Sequence, residues 1–307
     1  MIDVNLMLRR LKNLFSKDGW AYFVFYLVKI LRIERFLSDA VYLKLVFRPM
    51  MGYSLNLTKP RTFSEKLQWL KIYNRKPIYV TMVDKAAAKE FVANQIGDEF
   101  IIPTLGIYDD IDDIVFDSLP EQFVMKCTHD SGGLVICKDK STLDVEAARR
   151  KIKKGLNNCF YFQSREWPYK EVPRRIIIEK YIVDESGYEL KDYKFFCFHG
   201  EVKFFKIDFD RGTNHRANYY DVNMNILPIG ENVCPPDESR VFYKPKNFDK
   251  MIEIAEILSK DIPFVRVDLY NSNGKIYFGE LTFFPASGLS KYTSMECDVL
   301  LGGYLNL

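Results

Sequence analysis

Histidine is scarce in this chain: His129, His199 and His215 are the only three in 307 residues. No convincing Ser-His-Asp or Cys-His set can be assembled, which argues against a protein nucleophile. The six cysteines, Cys127, Cys137, Cys159, Cys197, Cys234 and Cys297, include no CxxC pair, and no histidine stands at ligand spacing from them. They read as reduced, mostly buried thiols of a reducing compartment rather than a disulfide framework or a zinc site. There is no excess of charge of one sign: 44 Lys+Arg stand against 41 Asp+Glu, a net +3. A dedicated nucleic-acid binder would concentrate far more positive charge. Long apolar runs are missing too. Met1 to Val4 lacks the basic segment and apolar run of a secretory signal. Ala21 to Leu31, with Lys29 inside it, is too short to span a bilayer. Low-complexity linkers, internal repeats, a Walker A loop and a Rossmann glycine fingerprint are all absent.

What is present is a strongly apolar chain, 48% hydrophobic and 15% aromatic, able to bury a large core. Residues 5–50 carry apolar positions at helical spacing. The stretch Leu8-Arg9-Arg10-Leu11-Lys12, taken with residues 21–31, describes either an amphipathic segment lying on a membrane surface or a helix packed on the protein body. Thr62 or Ser64, with Glu65 in the first turn, predicts a capped helix start through Leu70. A second helix is predicted from Met82 to Gln95, stopped by Gly97. Short strands follow at 101–108, 123–127 and 134–137, a helix at 142–157 and a strand at 176–182. The later half is richer in strands. Tyr193 to Phe198 and Glu201 to Phe209 form a hairpin about His199-Gly200, and a helix covers 248–258. Phe264 to Leu269 and Lys275 to Leu281 flank the turn Asn271-Ser272-Asn273-Gly274. Antiparallel pairs of this kind imply an α+β protein of two lobes rather than a doubly wound sheet.

Four elements carry chemistry. Lys126 ends an apolar strand and is followed by Thr128-His129-Asp130-Ser131-Gly132-Gly133. Backbone N–H groups of such a loop can close on phosphate oxygens while the lysine supplies charge, although the same run also describes an ordinary hairpin. Glu179-Lys180-Tyr181-Ile182 ends a strand and can offer backbone groups to a purine edge, or is simply a strand end. Lys85 stands before an alanine run at a helix start, where a solvated lysine is equally common. The most specific element is the last hairpin. Alternation puts Arg266 and Asp268 on one face of their strand, and Glu280 and Thr282 on one face of the next. Two carboxylates and a neutral oxygen suit Mg²⁺, with an arginine beside them for a transferring phosphoryl group. A solvated face with a cross-strand ion pair is the plainer alternative.

In their order, these elements resemble the ATP-grasp superfamily over about residues 80–290. The likeness implies an ATP-grasp fold, two α+β lobes enclosing a nucleotide cleft behind a helical N-terminal extension. Its implied divisions are 1–60, 61–120, 121–185 and 186–307. Mg²⁺ and ATP would be the cofactors. Lys85, Lys126, Ser131, Gly132 and Gly133 would hold phosphates, and Glu179, Lys180, Tyr181 and Ile182 would form the adenine hinge. Arg266 would act on the transferring group, and Asp268, Glu280 and Thr282 would hold metal. Thr282 stands where the superfamily more often has asparagine, and its oxygen has a shorter reach.

More narrowly, the chain is similar to TupA-like ATP-grasp proteins associated with teichuronopeptide and capsular polysaccharide synthesis. Arg61 to Leu70, Asp192-Tyr193-Lys194-Phe195, Cys197-Phe198-His199-Gly200 and Asp210-Arg211 carry that likeness. It implies a carboxylate–amine ligase joining an amino acid to a uronic-acid carboxylate through an acylphosphate. Asp192 would meet the ribose, Lys194 the phosphates, and Arg211, a catalytic candidate, would lie with His215 and Arg216 toward an anionic acceptor. A cytoplasmic protein is expected, with peripheral contact to the inner membrane face through the N-terminal segment. A kinase acting on an alcohol through the same residues, a glycosyltransferase and a non-catalytic nucleotide-binding scaffold are the rival readings.

Overall fold

A computed structural model describes residues 19–130, 132–184, 190–211, 213–240 and 242–307. Ser131 and the 8–12 stretch lie outside these residues. Two antiparallel sheets organise the chain. The first contains β1 (Thr104–Tyr108), β2 (Phe123–Cys127), β3 (Leu134–Cys137) and β4 (Ile176–Lys180), in the order β1-β4-β2-β3. The second contains β5 (Asp192–Phe198), β6 (Glu201–Phe209), β7 (Arg216–Tyr220), β8 (Phe264–Ser272) and β9 (Lys275–Thr282), in the order β7-β6-β5-β8-β9.

Turn chemistry sets the pairing of the second sheet. His199-Gly200 and Asn273-Gly274 each place two successive residues at positive φ (52° and 83°, 55° and 86°), the requirement of a tight two-residue hairpin. Alternation then sorts the faces. Phe195, Phe205, Val267 and Leu269 point into the main core, which the helix Phe248–Ser259 covers. The first sheet has its own core, where Phe123, Met125, Ile176 and Ile178 meet Ile152 of the helix Val145–Leu156.

The predicted cap at Thr62 is present in full. Its side chain accepts from the Glu65 N–H and the Glu65 carboxylate accepts from the Thr62 N–H, starting the helix Phe63–Tyr73. The single helix predicted for Met82 to Gln95 is instead two, Ile78–Val83 and Ala87–Ile96. The break falls at Asp84. Its backbone is extended (φ −71°, ψ 113°), and its side chain accepts from the Ala86 N–H and from Arg175, both at 2.9 Å. Asp84 finds better partners outside a helix than within one. Lys85 therefore stands in a loop, not on a helix. Gly97 ends the second helix at φ 109°, as expected.

The N-terminal helices Gly19–Ile30 and Asp39–Met51 pack on each other. Arg165 attaches them to the body. It is fully buried, lies 4.3 Å from the Tyr42 ring centroid and pairs with Asp39 at 3.0 Å. Tyr161 donates to the same carboxylate at 2.7 Å.

Candidate nucleotide and metal site

A cavity of about 530 Å³ opens between the two sheets, within the range of roughly 300–1,000 Å³ usual for small-molecule sites. From the first sheet side it is lined by Lys85, Lys126, Gly133, Glu179 and Lys180 to Ile182. Asp192, Arg211, Asp268 and Glu280 line it from the other. Residues 85 to 280 are thus brought to one space. Val124, Leu134, Ile136 and Tyr270 supply apolar wall.

Glu179 organises the lysines. Its carboxylate is buried, 2.6 Å from the Lys126 Nζ and 2.5 Å from the Lys89 Nζ. Burial works against this carboxylate, but Lys126 and then Lys89 outweigh it and hold its pKa below the ordinary value. Lys85 donates to the Asp130 carbonyl at 2.8 Å, and its pKa is lowered mainly by burial. Lys89 escaped the sequence reading. Its only signal was a position four residues beyond Lys85 on the same short run.

The glycine loop is set by a close approach. A Cβ on Gly133 would stand 2.5 Å from the Cys127 Sγ and 3.4 Å from the Gly155 Cα, whereas one on Gly132 would meet nothing nearer than 3.5 Å. We expect Gly133→Ala to cost roughly 1–3 kcal/mol of stability through overpacking. Gly132→Ala should cost much less. Denaturant unfolding of the two nucleotide-free variants measures the difference, and equal losses would show that the approach to Cys127 does not constrain the loop.

Arg266, Asp268, Glu280 and Thr282 converge, but by a route alternation alone does not give. From the turn, Ser272 pairs with Lys275, Tyr270 with Tyr277 and Leu269 with Phe278. The register then shifts, so that Asp268 faces Glu280 and Arg266 faces Thr282. Without the extra residue, Gly279, Glu280 and Thr282 would turn to the opposite face. Glycine suits the bulge because a Cβ there would lie 2.9 Å from the Asp268 carbonyl. Arg266 makes two bonds of 2.6 Å to Asp268 and reaches Glu280 and Thr282 at 3.1 Å each.

Asp268 is buried, and burial raises its carboxyl, with Asp192 and Glu280 adding to the rise and Arg266 opposing it. Burial also works against the Glu280 carboxylate, but Arg266 and Lys85 hold it at about 2. Several carboxylates thus share one guanidinium, around oxygen donors of the kind magnesium prefers. The residues fit Mg²⁺.

Across the second sheet, pairing continues the row from Glu280 and Asp268 to Lys194, Lys206 and Tyr219. Lys194 bonds Asp192 at 2.8 Å and also Asp208. Arg211 spans the same two carboxylates at 3.0 and 2.8 Å, and His215 reaches Asp208 at 2.8 Å. Asp208, His215 and Cys234 are close enough together to suggest a metal centre. The surrounding cations argue otherwise: Lys206 stands 3.4 Å from the Cys234 Sγ and 3.6 Å from Asp208. Among the described residues, Asp192 keeps one buried oxygen, Oδ1, without a hydrogen-bond partner. Arg216 begins β7, opposite Phe209.

Two antiparallel sheets around a cleft, paired lysines beside a glycine loop, and an Arg-Asp-Glu-Thr hairpin make up the arrangement of an ATP-grasp protein. The TupA-like ATPgrasp family model matches residues 65–306, and the chain belongs to that family. Comparison with curated proteins returns no match. Among solved structures, D-alanine–D-alanine ligase from Bacillus anthracis complexed with ATP is similar at 16% identity and TM-score 0.39, covering 66% of this chain and 54% of that one. The ADP complex of purK, N5-carboxyaminoimidazole ribonucleotide synthetase, is similar at 14% and 0.43, covering 80% and 57%. The ATP-grasp ligase PsnB with minimal precursor, Mg and ADP is similar at 12% and 0.38, covering 72% and 57%. The chain therefore spans little more than half the length of these structures.

Proposed function

We propose that the chain is an ATP-dependent carboxylate–amine ligase, joining an amino acid to a uronic-acid carboxylate of a bacterial surface polysaccharide or its precursor. The observation that carries the reading is that Asp268 and Glu280 line the cavity together with Lys85 and Lys126, with Arg266 bonded to Asp268, Glu280 and Thr282 directly behind them. This is a set of fixed charges for a polyphosphate, with no activated nucleophile beside it among the described residues. Cys127, next to the glycine loop, is pushed up to about 11, chiefly by burial, and so remains a thiol at neutral pH.

Lys180 to Ile182 would frame the adenine, and the free oxygen of Asp192 would accept from a ribose hydroxyl. Lys85 and Lys126 would neutralise phosphate charge. Asp268, Glu280 and Thr282 would hold Mg²⁺, which when bound supplies charge compensation at the phosphates. A substrate carboxylate oxygen bonds to the γ-phosphorus as the bond to the ADP oxygen breaks, with Arg266 stabilising the transferring group. The amine nitrogen then bonds to the acyl carbon, phosphate leaves, and the amine proton passes to water. The protein contributes positioning and electrostatics.

Hydroxylamine separates this from phosphorylation of an alcohol, for which the same residues would serve. We expect incubation with ATP, Mg²⁺, a uronic-acid saccharide and hydroxylamine to yield hydroxamate in step with ADP. A stable phosphorylated saccharide, or ADP with no hydroxamate or amide product, would overturn the ligase reading.

A further inference from the structure

The helix Gly19–Ile30 presents the wrong face to solvent for a helix packed on one side. Trp20 (76% exposed), Phe23 (45%), Leu27 (42%) and Ile30 (76%) recur at helical spacing on its outer side. Val28 is meanwhile buried, and Phe25 packs against the small core built on Tyr42, Val46 and Phe47. Leu31 and Phe36, 57% and 88% exposed, extend the outer apolar surface into the following turn. Arg32 and Arg35 are exposed in that same turn, and Val41, Lys44 and Arg48 in the next helix. The charge is lopsided as well. The first 50 residues hold nine Lys+Arg against four Asp+Glu, a net +5, while the whole chain is only +3, so the remainder is −2.

We propose that this face docks on an anionic lipid bilayer, with the Trp20–Leu31 stripe at the boundary of headgroups and acyl chains and the basic residues on the lipid phosphates. Three observations favour a bilayer. An exposed apolar stripe beside Lys and Arg is the pattern of a helix lying in the interface. Over the described residues the helix runs for 12 residues, about 18 Å, a length suited to lying in the membrane plane. No helix among the described residues is long and apolar enough to span. A second copy of the chain is the poorer occupant, because it would bring one net +5 segment against another. The surface also lies outside the 65–306 segment matched by the family. It stands independently of the ligase proposal.

The test is co-sedimentation of the full chain with phosphatidylcholine vesicles, with and without about one third phosphatidylglycerol. We expect binding to the anionic vesicles at least roughly tenfold above the neutral ones, weakening as salt is raised. Phe23→Glu with Leu27→Glu should abolish it, and Lys44→Glu with Arg48→Glu should remove the preference for anionic lipid. Both variants should keep the nucleotide-dependent thermal shift of the parent, which reports that the body is folded. Three outcomes would overturn the proposal: no sedimentation with anionic vesicles at low salt, unchanged binding by the Phe23/Leu27 variant, or a dimer in solution that this variant splits.

Discussion

Glu280→Gln is expected to lower kcat/KM for Mg-ATP by roughly 10²–10³, about 3–4 kcal/mol of transition-state stabilisation. The change keeps the size of the side chain and removes only its charge. In the nucleotide-free protein little should be lost. The Arg266 contact to Glu280 is the longer one, at 3.1 Å against 2.6 Å to Asp268, and 43% of the Glu280 side chain is open. The repulsion that Glu280 exerts on Asp268 also disappears. With a dication and a triphosphate in place the balance reverses, because a neutral amide is a much weaker magnesium ligand than a carboxylate. Metal-free nucleotide binding should therefore stay close to the parent, while the extra thermal stabilisation from adding Mg²⁺ with the nucleotide should shrink. ADP release and paired melting curves, with and without Mg²⁺, measure both. Parent-like turnover would place the metal away from Glu280.

This hairpin also shows where sequence reading succeeds and where it stops. Asn273-Gly274 announces a two-residue turn, and period-two alternation pairs Arg266 with Asp268 and Glu280 with Thr282. Carried out literally, however, that register sends the two pairs to opposite faces. The bulge at Gly279 restores convergence, and its cause is steric: the Asp268 carbonyl lies where a Cβ would go. Local pattern supplies the residues, while a backbone irregularity supplies the geometry.

Elsewhere the lost information is non-local. Glu179 reads as a hinge residue by position, yet its carboxylate joins Lys126 from the neighbouring strand to Lys89 from a helix some 90 residues earlier. Asp208 collects Lys194, Lys206, Arg211 and His215, and only Lys206, two residues before it on β6, follows from spacing along one strand. The capping box at Thr62 and Glu65 and the paired glycine turns were legible because both partners lie within a few residues. Ion pairs between distant elements were not. The exposed stripe from Trp20 to Leu31 was visible as apolar spacing, but which side faced solvent was settled only by the burial of Val28 and the packing of Phe25.

Lys71→Met should be the most destabilising of the single substitutions considered, by roughly 3–5 kcal/mol. Lys71 is completely buried in the helix Phe63–Tyr73 and donates to the Ser164 and Ser287 carbonyls, each at 2.8 Å. Burial lowers its pKa to about 8, against the pull of Glu166 and Asp39. Ser287 lies between the two charges, since its hydroxyl donates to Glu166 at 2.6 Å. The segment held in this way leaves β9 just after Thr282. There Ala286 and Ser287 both adopt left-handed backbone, φ 46° and 57°, which side chains of ordinary residues rarely tolerate. Gln68 adds bonds to the Ser287 and Gly288 carbonyls at 3.0 and 2.8 Å. Methionine would fill the space of the lysine but take its donor from the Ser164 carbonyl, leave the Ser287 carbonyl to Gln68, and leave the Glu166 carboxylate buried without its cation. Adding Glu166→Gln removes that stranded charge, so the double variant should be less destabilised than the sum of the two single variants. Denaturant unfolding of the four proteins gives the coupling directly. Strict additivity would mean that Lys71 and Glu166 hold the turn separately and that the charge between them contributes nothing to keeping the Pro285–Gly288 turn in its strained form.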